Sequence, residues 1–316
     1  MQLADLPLID LYLGVDFSEY RDKPGDDAPR LVVPDECMTE IHAVREHCRA
    51  LYTKSQQDEF NLPHGNDLYR VTVIPDVTLE PIFILSRASS RIPPYAELGL
   101  PEHVTAIVRD KDARGLILIG GEQGSGKTTT MGAMQIERIS TLGGFGLALQ
   151  DPIENNLRGQ HGKGRIIQQP VEGITGYAKS AQTAVRARMK TISFGEIRRD
   201  PGGINASTAI DLSLAGCFIL ATIHANTAAG TIERLIELAT PSYKDETANQ
   251  VASALLAIIW QRLEKTDRKV RPVITAISLR DNTEADGIRS LIREKQLHQL
   301  TSLAQQQATR RLWSRG

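Results

Sequence analysis

The sequence predicts an α/β fold in two domains, a small one over residues 1–104 and a larger one over residues 105–316. Three observations predict it. A chain of 316 residues is a length at which two domains are the ordinary expectation. From about residue 105 short apolar runs alternate with helical stretches, the pattern of buried parallel strands covered by helices on both faces. Between the first of those runs and the helix after it stands a glycine-rich turn, Gly121 to Thr128.

In chain order, Ser18 to Arg30 is polar and contains Pro and Gly, which reads as a surface loop. Residues 35–60 place Met38, Ile41, Val44, Cys48 and Leu51 on one helical face. Residues 68–74 and 80–86 read as strands, and Pro93, Pro94 and Pro101 punctuate the approach to the second domain. There, 115–120, 146–150, 191–195 and 217–223 are apolar strand candidates. Helices are expected at 127–140, 178–189, 203–215, 227–239 and 246–263, then an extended segment at 270–280 and a C-terminal helix at about 285–310.

Composition narrows the function. The formal net charge of −1 supplies no global basic field to attract nucleic acid or anionic lipid. Cys37, Cys48 and Cys217 are widely spaced and form no C-x-x-C pair, so they read as buried small hydrophobes, not as a zinc site or a disulfide framework. There is no basic and apolar leader at the N-terminus, and apolar stretches such as Leu255 to Trp260 are too short to span a bilayer. The expectation is a cytoplasmic protein that meets a membrane through a partner.

The chemistry starts at Gly121-Glu122-Gln123-Gly124-Ser125-Gly126-Lys127-Thr128, followed by Thr129, which matches G-x-x-x-x-G-K-[ST] in full. Glycines let the backbone turn several N–H groups inward around phosphate oxygens, and the positive end of the helix that follows favours anions. Lys127 is expected on the β- and γ-phosphates of ATP, and the Thr128 hydroxyl on Mg²⁺. The plain alternative is a chance Gly-rich turn between a strand and a helix, and the correct flanking elements favour the phosphate-binding reading over it.

Three further elements end apolar runs. Glu196, in Phe194-Gly195-Glu196-Ile197-Arg198, is placed to hold Mg²⁺ or orient water. Asp151 and Glu154, in Gln150-Asp151-Pro152-Ile153-Glu154, add carboxylates at the same sheet edge, although Asp-Pro also starts ordinary turns. His224, in Ala221-Thr222-Ile223-His224-Ala225-Asn226, can serve as a γ-phosphate sensor.

In this order the four elements resemble the type II/type IV secretion traffic ATPases over roughly residues 60–305: a Walker A run, an Asp box at 150–154, a Walker B run at 194–198 and a His box at 216–228. The chain looks most like the PilT-type retraction motors and DotB-type ATPases. Gly287 to Glu294, followed by His298-Gln299-Leu300, is similar to the C-terminal signature helix of PilT-type motors, Gln261-Arg262-Leu263 matches a segment they carry, and the paired C-x-x-C knob of pilus-extension ATPases is absent. The resemblance implies a PAS-like N-terminal domain, a RecA-like P-loop ATPase domain, and a homo-hexamer with ATP between subunits. It also implies a platform or secretion-core partner at the inner membrane. Arginines from a neighbouring N-terminal domain would reach the nucleotide; Arg70 and Arg87 stand near those positions, with Arg91 close to the second. Gln150 stands where the family usually carries Glu, Met189-Lys190 where it carries Pro-Asp, and Arg199 where it carries Asp. Two alternatives remain: a DNA-translocating RecA-like ATPase, and a poorly hydrolysing nucleotide-binding assembly subunit.

Overall fold

A computed structural model describes residues 2–23, 29–65, 67–88, 92–171, 176–266, 269–280 and 284–300. The chain divides into two units: Met1–Arg91 with Pro152–Asn156, and Ile92–Asp151 with Leu157–Gly316. The division after Arg91 precedes the expected boundary at 104. Val104, Ile107 and Val108, with Tyr95 and Leu100 against them, pack into a core with Ile117, Met131 and Phe218, which commits the intervening segment to the second unit.

The first unit contains β1 (Asp10–Leu13), β2 (Ser18–Arg21), β3 (Leu31–Val32), α1 (Met38–Ser55), β4 (Glu59–His64), β5 (Asp67–Pro75) and β6 (Pro81–Arg87). The strands form an antiparallel sheet in the order β3-β2-β1-β6-β5-β4. Alternate residues Tyr69, Val71 and Val73, with Phe83, Leu85, Leu11 and Leu13, build one core with Ile41, Val44 and Cys48 of α1. That is how a sheet with one solvated face reads in sequence. The expected loop from Ser18 is instead a strand at its start, because Tyr20 pairs with Leu11 and polar residues suit the solvated face. The helix expected to residue 60 stops at Ser55, where Gln56 takes a left-handed cap conformation (φ 54°), and the chain continues as the edge strand β4.

The second unit contains α2 (Glu102–Arg109), β7 (Gly115–Gly121), α3 (Lys127–Leu142), β8 (Gly144–Gln150), β9 (Gly159–His161), β10 (Gly164–Pro170), α4 (Gly176–Arg186) and β11 (Thr191–Phe194). It continues with α5 (Ile204–Leu214), β12 (Phe218–His224), α6 (Ala228–Tyr243), α7 (Thr247–Ala254), β13 (Leu255–Thr266), β14 (Lys269–Ser278) and α8 (Ala285–Arg293). The sheet order is β14-β13-β7-β12-β11-β8-β10-β9, parallel from β13 to β10, with β14 and β9 joined antiparallel. Leu116 and Leu118 of β7 enter one core and Ile117 and Ile119 another, so both faces are covered. Arg138 of α3 is buried, donates to the carbonyls of Val108 (2.9 Å) and Asp110 (2.8 Å), and lies 3.8 Å over the Phe218 ring, fastening the P-loop helix to α2.

The helix expected over 246–263 is corrected at its midpoint. It ends at Ala254, and Leu255 opens β13, because that apolar run pairs with β7 from Leu255↔Leu116 to Trp260↔Gly120. Strands β9 and β10 were not expected. The C-terminal helix ends at Arg293, and the part expected beyond Leu300 lies outside the described residues. Among the described residues no helix is long and apolar enough to cross a membrane.

Candidate nucleotide site

Strands β7, β12, β11 and β8 are parallel neighbours, so their C-terminal ends open on one edge of the sheet. His224 is in register with Gly121, and Phe194 lies between Ala221 and Leu149. This edge is where α/β sheets hold ligands. It brings together the loop after β7, His224, Glu196 and Gln150.

The loop has the backbone the motif demands. Gly124 (φ 73°) and Gly126 (φ 83°) are left-handed, a region costly for other residues, and Gly126 caps α3. Ser125 N–H closes a turn onto the Glu122 carbonyl at 3.2 Å. Lys127 is 7% exposed, and its Nζ donates to the carbonyls of Gly121 (3.0 Å) and Glu122 (2.8 Å). Glu122, Gln123 and Gly124 are exposed at the crest, and Thr128 and Thr129 are half-buried on the first turn of α3. The buried Ser125 hydroxyl has no protein partner among the described residues.

Glu196 is held on one oxygen by Arg198 and approached on the other by His224. Arg198 Nε donates to Oε2 at 2.6 Å, and His224 Nε2 lies 3.4 Å from Oε1. That bond to the carboxylate pushes the Arg198 guanidinium further up from its already high ordinary pKa. The turn carrying Glu196 is anchored by Gly195 N–H to the Leu149 carbonyl (2.7 Å), Ile197 N–H to the Thr222 carbonyl (2.9 Å), and the Thr222 hydroxyl to the Gly195 carbonyl. A Cβ at Gly195 would press to 3.2 Å from Gln150 Cα. Below it Tyr177 stacks on Phe194 at 5.5 Å, and burial pushes the Tyr177 hydroxyl up to about 12, so it stays protonated.

Gln150 is buried. Its Oε1 accepts from Gln168 Nε2 at 2.5 Å, Gln168 Oε1 accepts from Leu157 N–H at 3.0 Å, and Gln150 Nε2 has no protein partner among the described residues. Asp151, next to it, is exposed. Glu154 is also exposed and belongs to the 152–156 segment that groups with the first unit. In that unit Arg70 is exposed on β5, between Asn61 and Ser86. Arg87 is engaged within its own unit: it donates to the carbonyls of Leu3 (3.1 Å) and Leu6 (3.3 Å) and to Tyr69 Oη (3.3 Å), and pairs with Asp67 at 3.5 Å. Arg91 lies outside the described residues.

Sequence reasoning gave no role to three supports. Arg198 clamps Glu196, Gln168 holds Gln150, and Gln135 on α3 spans the Leu147 carbonyl (3.0 Å) and Ser193 Oγ (2.8 Å), tying the P-loop helix to β8 and β11. The available signal was a polar residue in a stretch whose neighbours Met131 and Met134 are core. Among the described residues no group of three or more His, Cys, Asp or Glu could hold a metal. The P-loop arrangement needs none, because Mg²⁺ there takes one or two protein oxygens and completes its shell with phosphates and water.

A P-loop opening a helix of a doubly wound parallel sheet, with a carboxylate and an imidazole on the adjacent strand ends, defines the P-loop nucleotide-binding class. Within it, the chain belongs to the type II/IV secretion system protein family, whose model matches residues 56–311. It is similar to the uncharacterized protein YggR of Escherichia coli K12, at 33% identity over 68% of this chain and 63% of that protein. It is also similar to the type IV pilus ATPase PilU of Pseudomonas aeruginosa, at 30% identity over 70% of this chain and 55% of that one. The chain therefore spans less than two thirds of the length of either relative. The crystal structure of the pilus retraction motor PilT with bound ADP superposes with a TM-score of 0.74 at 27% identity, covering 99% of this chain and 91% of that one.

Proposed function

We propose that this chain hydrolyses ATP and turns the free energy into mechanical work on a type IV pilus or a DotB-like type IV secretion or conjugation machine. In this reading it is a homo-hexamer at the cytoplasmic face of the inner membrane, bound peripherally to a platform or secretion-core protein. The observation that carries it is the meeting of Lys127, the Arg198–Glu196 pair and His224 at one sheet edge.

Each residue has a task set by its chemistry. Lys127, now on two loop carbonyls, exchanges them for phosphate oxygens, a stronger charge-assisted bond. The Thr128 hydroxyl and Glu196 carboxylate are hard oxygen donors that suit Mg²⁺, which when bound neutralises charge on the transferring phosphoryl group. Glu196, its orientation set by Arg198, aligns the attacking water. His224 lies against Glu196, so a change in phosphate occupancy at one is felt at the other. Asp151 adds negative charge beside Gln150. Glu154, Arg70 and Arg87 belong to the first unit and would reach a nucleotide from that unit or from a neighbouring subunit. One further observation favours slow hydrolysis: Gln150 is a buried amide, and an amide cannot accept a proton as a carboxylate does.

The test is ATP turnover of the full chain together with its sedimentation with and without ATP, and capture of partners from inner membranes. A monomer without turnover in any nucleotide would overturn the motor reading. Turnover stimulated by DNA and weakened by salt would favour the DNA-translocating alternative.

A further inference from the structure

Past Trp260, the last residue of β13 paired with β7, the strand runs on with β14 as a two-stranded ribbon, Gln261↔Ile274 to Thr266↔Lys269. β13 and β7 are parallel, so the ribbon leaves the sheet at the edge that carries the P-loop. Its first residues press on that loop. Gln261 is fully buried, and its Nε2 donates to the Ser125 carbonyl at 2.6 Å. The same Nε2 would be 3.3 Å from a Cβ at Gly126, the Gln261 carbonyl 2.4 Å from one at Gly121, and Leu263 Cδ2 3.7 Å from one at Gly126. Next to it, Trp260 Nε1 donates to the Ala225 carbonyl at 3.2 Å, and Ala225 N–H to the Gly121 carbonyl at 3.3 Å. The end of β13 thus fastens both the P-loop and the turn after His224.

We infer that Gln261 is a positioning residue for nucleotide binding: its amide holds the Ser125 peptide in the orientation in which the loop N–H groups can converge on phosphate, and it links phosphate occupancy to the ribbon. The reasoning is chemical. A carbonyl only accepts, so Ser125 needs a donor, and a buried carbonyl without one relaxes by turning its peptide. Turning that peptide moves the Gly126 N–H, which belongs to the phosphate cradle. Gly124 and Gly126 make such turning easy, so a loop rich in glycine needs an external tether that a stiffer loop would not. Gln261 acts through the loop backbone, so its loss lowers ground-state and transition-state binding alike and appears in KM, not in kcat.

The inference rests on the P-loop reading, and the experiment separates the two. Binding of a fluorescent ADP analogue with Mg²⁺ is measured on the full chain, wild type and Gln261→Met, which keeps the shape and removes the donor. The wild type is expected to bind; if it does not, the P-loop reading falls before Gln261 is tested. Gln261→Met is expected to bind about tenfold more weakly, with KM for ATP raised in proportion, kcat within about twofold, and faster amide exchange over residues 121–126 in the ligand-free protein. Should the Met variant not fold, Gln261→Glu serves. It keeps size and polarity but sets a carboxylate against the Ser125 carbonyl, and a loss of affinity larger than tenfold is expected. Unchanged affinity and KM, with only a lower melting temperature, would overturn the inference and leave Gln261 as core packing.

Discussion

Arg87 and Arg198 each follow or end a strand beside an acidic residue, and the two units use them in opposite ways. Arg87 closes β6 of the antiparallel sheet, 20% exposed, its two terminal nitrogens bonded to Leu3, Leu6 and Tyr69 and its charge matched by Asp67. Arg198 follows β11 of the parallel sheet, 60% exposed, and its bond goes to the site carboxylate Glu196. The difference lies in topology. An antiparallel sheet sends neighbouring strand ends in opposite directions, so a residue there finds whatever local chain packs over it. A parallel sheet gathers every C-terminal end on one edge, so residues that follow different strands meet.

That contrast can be broken by experiment. The largest effect is expected from Lys127→Ala in the second unit: ATP turnover falls by a hundredfold to roughly a thousandfold, while circular dichroism stays at wild-type values. Glu196→Gln follows, with kcat lower by about a hundredfold and nucleotide affinity retained. Arg87→Ala should act on the other quantity. Denaturant unfolding should show a loss of about 2–3 kcal/mol, from two carbonyls and a carboxylate left without their partner. A normal stability with a collapse of turnover would instead return Arg87 to a nucleotide-facing role and erase the contrast drawn here. Gln150→Glu should raise kcat by about tenfold if the missing carboxylate limits hydrolysis; steady-state rates decide this, and a lower rate would show that the amide itself is required.

The smallest effect is electrostatic. The Asp110 carboxyl is held below the usual carboxylate range by the Asp112 N–H first and by Arg280 second. A depressed acid binds fewer protons folded than unfolded near its ordinary pKa, so its stabilisation is present above about pH 4 and fades as pH falls through the folded value. Asp110→Asn should therefore cost about 1 kcal/mol at pH 7 and progressively less as pH falls below about 4, as read from melting curves across that range.

Legibility followed the range of the interaction concerned. The P-loop and the strands β7, β8, β11 and β12 were read within a residue or two, because each is announced by contiguous residues. β13 was read as helix because an unbroken apolar run such as Leu255 to Trp260 fits a buried helix and a buried strand equally, and only pairing with β7 separates them. Strand β2 was hidden by its polar composition, which belongs to the solvated side of a sheet. Gln261 lies 136 residues from Ser125, so its bond has no sequence signal as a contact.

What the sequence alone determined is the local chemistry: where the backbone must turn left-handed, which lysine opens the helix behind that turn, and which acids and imidazole follow apolar runs. Backbone sterics and strand-to-helix transitions act over a few residues and are written there. The tertiary structure alone decided which of those groups have partners: Glu196 bonded to Arg198 with His224 beside it, Arg87 absorbed into its own unit, Gln150 buried on Gln168. Those outcomes depend on sheet order and register, which come from burying two apolar faces at once, and no short stretch of residues carries that information.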